Sequence, residues 1–276
     1  MRVWFITGAS RGFGALIAQE ALAAGDAVVA TARDPATVTA RLGAHERLLA
    51  TRLDVTSEIE AHAAVGAAVK KFGRIDVLVN NAGYGLLGAI EEASAEETQK
   101  LFGTNVFGLL GVTRAVLPHM RRQRSGHIIN LSSVGGYTGY PGWGVYGATK
   151  FAVEGISEAL AGEVAPLGIH VTVVEPGFFR TDFLDETSLS RTAQEIEDYR
   201  DTVGKTRAHA ADVNHGQRGD PRKLAKAFMR LVDAEDPPIR LPLGSDTVER
   251  IENKHAHVEQ ELSAWREVAT STDWSE

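Results

Sequence analysis

Cysteine is absent from all 276 residues, which excludes disulfides, thiolate zinc sites, iron–sulfur clusters and cysteine nucleophiles. A reducing compartment suits such a chain. Cations are in short supply: 29 Lys and Arg against 36 Asp and Glu leave a formal charge of -7. That balance disfavours a nucleic-acid partner, because phosphate contacts need surplus Lys and Arg. The basic run Arg121, Arg122, Arg124 reads as a solvated helix end. No apolar run reaches the roughly 18 residues that span a bilayer, so no membrane partner is expected. At the N-terminus, Met1-Arg2-Val3-Trp4-Phe5-Ile6 breaks at Thr7-Gly8, too soon for a signal-peptide core. The chain is therefore expected in the cytoplasm, starting inside its first strand. Internal repeats and low-complexity linkers are also missing, and 43% hydrophobic with 24% charged residues is ordinary for a folded domain. One domain over residues 1–276 is expected.

What is present alternates short β-branched runs with Ala- and Leu-rich stretches, the pattern of βαβ units. Strands are expected near Val3–Thr7, Ala27–Thr31, Arg47–Leu53, Val77–Asn80, Gly126–Leu131, His170–Val174 and Ile239–Pro242. Their near-continuous apolar character says that helices cover both faces. The fold class is α/β: a Rossmann-type, doubly wound sheet of seven mainly parallel strands in a three-layer sandwich. Helices are expected near Gly14–Ala24, Ile59–Phe72, Glu96–Met120, Tyr146–Pro166 and Pro221–Val232. Two stretches break this rhythm. Residues 178–220 are long, charged and poor in strand signal, and predict short helices in a mobile lid over the substrate. The tail at about 246–276 is polar and helix-prone, with Leu262 and Trp265 as sparse apolar anchors. It packs either on the domain or on a partner subunit.

The first strand runs into Thr7-Gly8-Ala9-Ser10-Arg11-Gly12-Phe13-Gly14 and then at once into a helix. Glycines let backbone approach a pyrophosphate, and a helix N-terminus supplies N–H donors and partial positive charge. Gly8, Ser10, Arg11, Gly12, Phe13 and Gly14 are thus candidate contacts of a dinucleotide. Its identity is decided at the end of the second strand, where an acidic residue accepts from adenosine ribose hydroxyls. Here the chain reads Thr31-Ala32-Arg33-Asp34. Ala32 cannot accept, and Arg33 can pair with a 2′-phosphate, with Arg11 as a second positive charge. The charge pattern favours NADP(H). NAD(H) stays open, because a rotated Asp34 can serve it.

Tyr146 and Lys150 stand four apart in Tyr146-Gly147-Ala148-Thr149-Lys150, on one helical face. Reversible hydride transfer needs a proton partner for the carbonyl or alcohol oxygen. A phenol of pKa about 10 is poorly poised unless a neighbouring ammonium favours phenolate. Upstream, Asn130-Leu131-Ser132-Ser133 closes a strand. With these motifs in order from Thr7 to about Asp182, the chain resembles the short-chain dehydrogenase/reductase family in its compact branch.

That resemblance implies Tyr146 as general acid/base, Lys150 lowering its pKa and holding the nicotinamide ribose, and Ser133 orienting the substrate oxygen. It implies that Asn105, in Gly103-Thr104-Asn105-Val106, kinks its helix and joins a proton relay. Asp54-Val55 resembles the adenine-contacting pair. Asn81-Ala82-Gly83 resembles the segment backing the cofactor. Pro176-Gly177 with Thr181 resembles the turn that holds the carboxamide, and Phe179 is counted with these cofactor contacts. The stretch Glu175–Asp182 resembles 17β-hydroxysteroid dehydrogenase-like members, a grouping with diverse substrates.

Tyr140, Trp143, Phe178 and Phe183, with Ser133 and Tyr146, are expected to wall a pocket for an apolar or aromatic carbonyl or alcohol. His209 and His215 lack a carboxylate at ligand spacing, so no metal is expected. By resemblance the partners are a small-molecule substrate and further copies in a homodimer or homotetramer, through the helices around 96–120 and 146–166. The leading function is an NADP(H)-dependent carbonyl reductase or alcohol dehydrogenase of the CH–OH class. The alternatives are the NAD(H)-dependent counterpart, a non-catalytic protein that senses NADP, and a scaffold without cofactor.

Overall fold

The computed structural model describes residues 1–274, so the last two residues of the domain and tail expected above lie outside the described residues. Among the described residues nine strands form: β1 (Val3–Ile6), β2 (Ala27–Ala32), β3 (Leu48–Arg52), β4 (Val77–Asn80), β5 (Gly85–Leu87), β6 (Gly126–Leu131), β7 (Ile169–Pro176), β8 (Leu189–Arg191) and β9 (Arg240–Leu243). Seven of them make one all-parallel sheet in the order β3-β2-β1-β4-β6-β7-β9. The order reverses between β1 and β4, and an open sheet leaves a crevice at the carboxyl ends of such a pair. Thr7 and Asn81 stand at its two lips.

Alternation along each strand divides the core. Val3 and Phe5 of β1 face one way, with Val29, Leu78, Ile128 and Val171. They meet α3 (Glu58–Phe72), α5 (Leu109–Gln123) and α6 (Gly144–Val164). Trp4 and Ile6 face the other way, against α1 (Gly12–Ala23), α2 (Pro35–Leu42) and α8 (Pro221–Asp233). Both faces being dry is why the strands carry almost no polar alternation.

α4 (Ala95–Phe102) begins with a capping box, in which Ser94 and Glu97 satisfy each other's backbone amides. It runs into a π-helical stretch, Gly103–Gly108, and on through α5. By length and composition alone residues 95–123 could cross a bilayer, yet 56% of the apolar window is buried inside the protein. Its apolar face is core, with Val112, Val116 and Met120 fully enclosed.

Segment 178–220 contains the short helices expected and also a strand. β8 pairs in parallel with β5 as a second, two-stranded sheet. Beyond it, α7 (Lys205–Asp212) brings Arg207 to Glu92, whose buried carboxylate also accepts from the amides of Ala89 at 2.7 Å and Ile196 at 2.8 Å. The tail forms α9 (Ser245–Thr270), a helix of 26 residues whose only buried residue is Thr247.

Candidate active site

The glycine turn is braced from below. Thr7 Oγ1 accepts from the amides of Asn81 at 2.9 Å and Ala82 at 3.0 Å, and Asn81 Nδ2 donates to the carbonyls of Thr7 and Gly8. Gly8 and Gly12 have φ of +64° and +54°, the left-handed region that favours glycine. A methyl on Gly14 would stand 2.5 Å from the Gly8 carbonyl oxygen and 2.6 Å from Asn81 Nδ2, so Gly14 acts by letting helix and turn touch. Arg11, at the N-cap of α1, supplies no side-chain cap, which leaves first-turn amides free for an anion.

A cleft of about 930 Å³ opens above this turn. It collects nearly every residue singled out in the sequence: Ser10, Arg11, Gly12 and Phe13; Arg33, Asp54 and Val55; Ala82 and Gly83; Ser133, Tyr146 and Lys150; and the turn from Pro176 to Thr181. Tyr140, Trp143, Phe178 and Phe183 line it as well. Two do not line it. Gly14 lies beneath Gly8, and Asn105 sits behind Gly83, where a methyl would come within 3.0 Å of its Oδ1 and 3.9 Å of Lys150 Nζ.

At the adenosine end, Arg33 is exposed and has no ion-pair partner among the described residues, while its carbonyl accepts from Arg52. Asp54 is held below the usual carboxylate range, chiefly by the Thr56 hydroxyl and amide, with Arg33 and Arg52 adding charge. Arg11 lines the cleft and its Nη2 also reaches the lid, donating to the Thr187 carbonyl at 2.6 Å and Ser188 Oγ at 3.0 Å.

The reactive end is built on α6 and the end of β6. Tyr146 packs edge-on against Trp143 at 5.7 Å and at a tilt against Phe183 at 5.6 Å. Ser133 Oγ accepts from the Gly135 amide at 3.1 Å. Lys150 Nζ donates to the Leu131 carbonyl at 2.7 Å and lies 5.8 Å from the Tyr146 ring centroid. It therefore sits under the ring, not on the hydroxyl. The Asn105 amide is fixed by Tyr84, donating to its carbonyl at 2.9 Å and accepting its N–H at 3.1 Å, with Thr149 Oγ1 at 3.2 Å. The expected kink at Asn105 takes the form of the π-helical stretch.

Burial raises the Tyr146 pKa, and the Ser133 hydroxyl only opposes this. Burial pushes Lys150 down to about 8, against the pull of Glu154 one turn on. Glu154 belongs to a cluster that sequence inspection missed. It faces Glu175 of β7, and the two share Arg240, at 3.3 Å and 3.8 Å from its Nε. Burial, then the neighbouring Glu154, pushes Glu175 up to about 8. Alternating apolar runs hide such a cluster, since its members come from three elements. Tyr84, Lys100 and Gln217 also line the cleft and carried no local signal.

Comparison with known proteins agrees with this architecture. The short chain dehydrogenase family matches residues 2–192. The chain belongs to that family. Oxidoreductase BOA17 of Botryotinia fuckeliana is 38% identical over 98% of this chain and 99% of its own. A 3-ketodihydrosphingosine reductase of Bacteroides thetaiotaomicron is 42% identical over 88% of each chain. The crystal structure of a short-chain dehydrogenase from Streptomyces avermitilis superposes with a TM-score of 0.92, at 42% identity over 99% of this chain and 100% of that one. Cofactor complexes occur among similar folds. A Burkholderia phymatum member was solved with NAD, at TM-score 0.82 and 25% identity over 94% and 95% of the two chains. A serine dehydrogenase was solved with NADP+, at TM-score 0.72 and 28% identity over 87% and 94%. The chain is thus an oxidoreductase of CH–OH or carbonyl groups that uses a nicotinamide cofactor. The cradle fits one, since Gly12 leaves open backbone beside free helix amides.

Proposed function

We propose that this dehydrogenase is an NADP(H)-preferring carbonyl reductase of the cytoplasm, in which Tyr146 gives the proton. The observation that carries the reading is the convergence of Ser133, Tyr146 and Lys150 at one end of a cleft whose other end presents unpaired Arg33. The nicotinamide supplies the hydride. Tyr146, whose buried phenol keeps its proton at neutral pH, is in the form a reductase needs, and donates to the carbonyl oxygen while Ser133 hydrogen-bonds it. Lys150, pKa about 8, holds its charge at neutral pH beneath the ring and stabilises the phenolate left behind. Asn105 holds the strand after Gly83 and α6 in register around Lys150. Arg33 pairs with the 2′-phosphate, and first-turn amides of α1 bind the pyrophosphate.

The substrate is an apolar ketone or aldehyde. Trp143, Phe183 and Phe178 supply the wall, and similarity to a 3-ketodihydrosphingosine reductase favours a long aliphatic ketone over a steroid. A panel of carbonyl compounds with NADPH, run on wild type and Tyr146→Phe, tests the assignment. The variant is expected to lose about 10²- to 10⁴-fold in kcat while binding NADPH as before. Wild-type turnover by Tyr146→Phe on any substrate refutes it.

A further inference from the structure

α9 leaves the protein as an arm. Its root is fixed: Asp246 accepts from the Phe178 amide at 2.9 Å, Arg250 lies over the rings of Tyr140 at 4.9 Å and Phe178 at 5.7 Å, and His255 hydrogen-bonds Tyr137. From His255 onward every residue to Trp274 is exposed. That free stretch of helix, 255–270, is about 24 Å long.

The arm is not polar all round. Val248, Ile251, His255, Val258, Leu262, Trp265 and Ala269 recur at alternating spacings of three and four, the a and d positions of a heptad repeat. Beyond the root the apolar members are 43% (Val258), 46% (Leu262) and 66% (Trp265) exposed, in one stripe. A helix with such a stripe and no neighbour needs a cover. Lipid is a poor one. The helix carries six carboxylates (Asp246, Glu249, Glu252, Glu259, Glu261, Glu267) against three cations (Arg250, Lys254, Arg266), whereas membrane-surface helices carry Lys and Arg.

Charge selects the cover and its direction. With Val258 at d and Leu262 at a, Lys254 and Glu261 occupy g, and Glu259 and Arg266 occupy e. In a parallel pair, g of one helix meets the following e of the other. Lys254 of one copy then meets Glu259 of the other, and Glu261 meets Arg266, on both sides of the seam. An antiparallel pair in the same register sets Glu259 beside Glu259 and Glu261 beside Glu261. Within one chain Arg266 stands only 4.0 Å from Glu259, an exposed contact that the pairing replaces.

We propose that α9 is a self-association arm, pairing in parallel with α9 of a second copy through Val258, Leu262 and Trp265. The seam is short, so it acts together with other contacts between copies, and neither set holds them without the other.

The cysteine-free chain makes a clean test. Val258→Cys, Leu262→Cys and, on the outer face, Gln260→Cys are each oxidised mildly in the full-length protein and run without reductant. A parallel pair puts residue 258 opposite 258 and 262 opposite 262, within disulfide reach, so the first two variants move to doubled mass and Gln260→Cys does not. Leu262→Glu, at an exposed position that leaves the thermal transition in place, lowers the mass seen by light scattering. Several outcomes overturn the proposal. They are no cross-link at 258 and 262, equal cross-linking at 260, cross-linking only when Val258→Cys and Leu262→Cys are mixed, or a mass untouched by Leu262→Glu. Co-sedimentation of wild type with phosphatidylglycerol vesicles that Leu262→Glu abolishes overturns it in favour of lipid.

Discussion

Replacing Arg33 with Asp tests how the adenosine end chooses its cofactor. Arg33 is exposed, so its bond to a 2′-phosphate sits at the low end for charged groups, about 1.5 kcal/mol. An aspartate there adds repulsion. At about 5 Å in water, a unit charge against a doubly charged phosphate costs about 1.7 kcal/mol. The sum, about 3 kcal/mol, weakens NADPH binding roughly 200-fold. For NADH the same aspartate accepts from the ribose hydroxyls and contributes about 1 kcal/mol, a gain of roughly fivefold. The affinity ratio thus moves by about three decades. Fluorescence titration of both cofactors into wild type and Arg33→Asp measures it, and raised salt should narrow the wild-type preference because the site is open to screening. An unchanged NADPH-to-NADH ratio refutes the argument, and leaves Arg52 or Arg11 as the discriminating charge.

Two further variants probe the frame of the site. Glu175→Gln addresses the buried acid cluster: a carboxyl raised to about 8 from 4.5 stabilises the folded chain fully below pH 4.5, and that contribution is lost as pH rises to 8. The melting temperature of wild type should therefore decline across this window more steeply than that of Glu175→Gln, and parallel declines would count against a raised Glu175 carboxyl. Gly14→Ala drives a methyl into the Gly8 carbonyl, an overpacking of about 1–3 kcal/mol, so thermal-shift measurements should show both a lower transition and little extra stabilisation by NADPH. Wild-type stabilisation by NADPH in Gly14→Ala would mean that the turn tolerates the contact.

The main sheet was readable because its strands are apolar runs, and all seven lie within two residues of the expected bounds. Tertiary pairing alone made the rest. β5 and β8 are three residues each and form only against one another, so neither carries a pattern of its own. α2 is eight residues long and buries only Val38, too few apolar positions to show a helical period, although Asp34 caps it as a start signal would. Motif spacing placed the reactive groups well. It could not place the Glu154–Glu175 pair, whose proximity depends on β7 and α6 crossing. A linear motif says which charges lie near Tyr146, and not how deeply the ring is buried, which is what raises its pKa in the folded chain.

The β5–β8 ladder also bears on how ligands come and go. A methyl on Gly88 would strike Thr192 at 2.2 Å, and Glu92 clamps the chain at Ile196 and Arg207, so everything from Leu189 to α7 is riveted to the scaffold. Only the arch between Phe178 and Ser188 spans the groove, with Phe183 against Tyr146 and Arg11 grasping Thr187. Opening of the groove is thereby confined to that short bridge, while the segment from Leu189 to α7 stays with the scaffold.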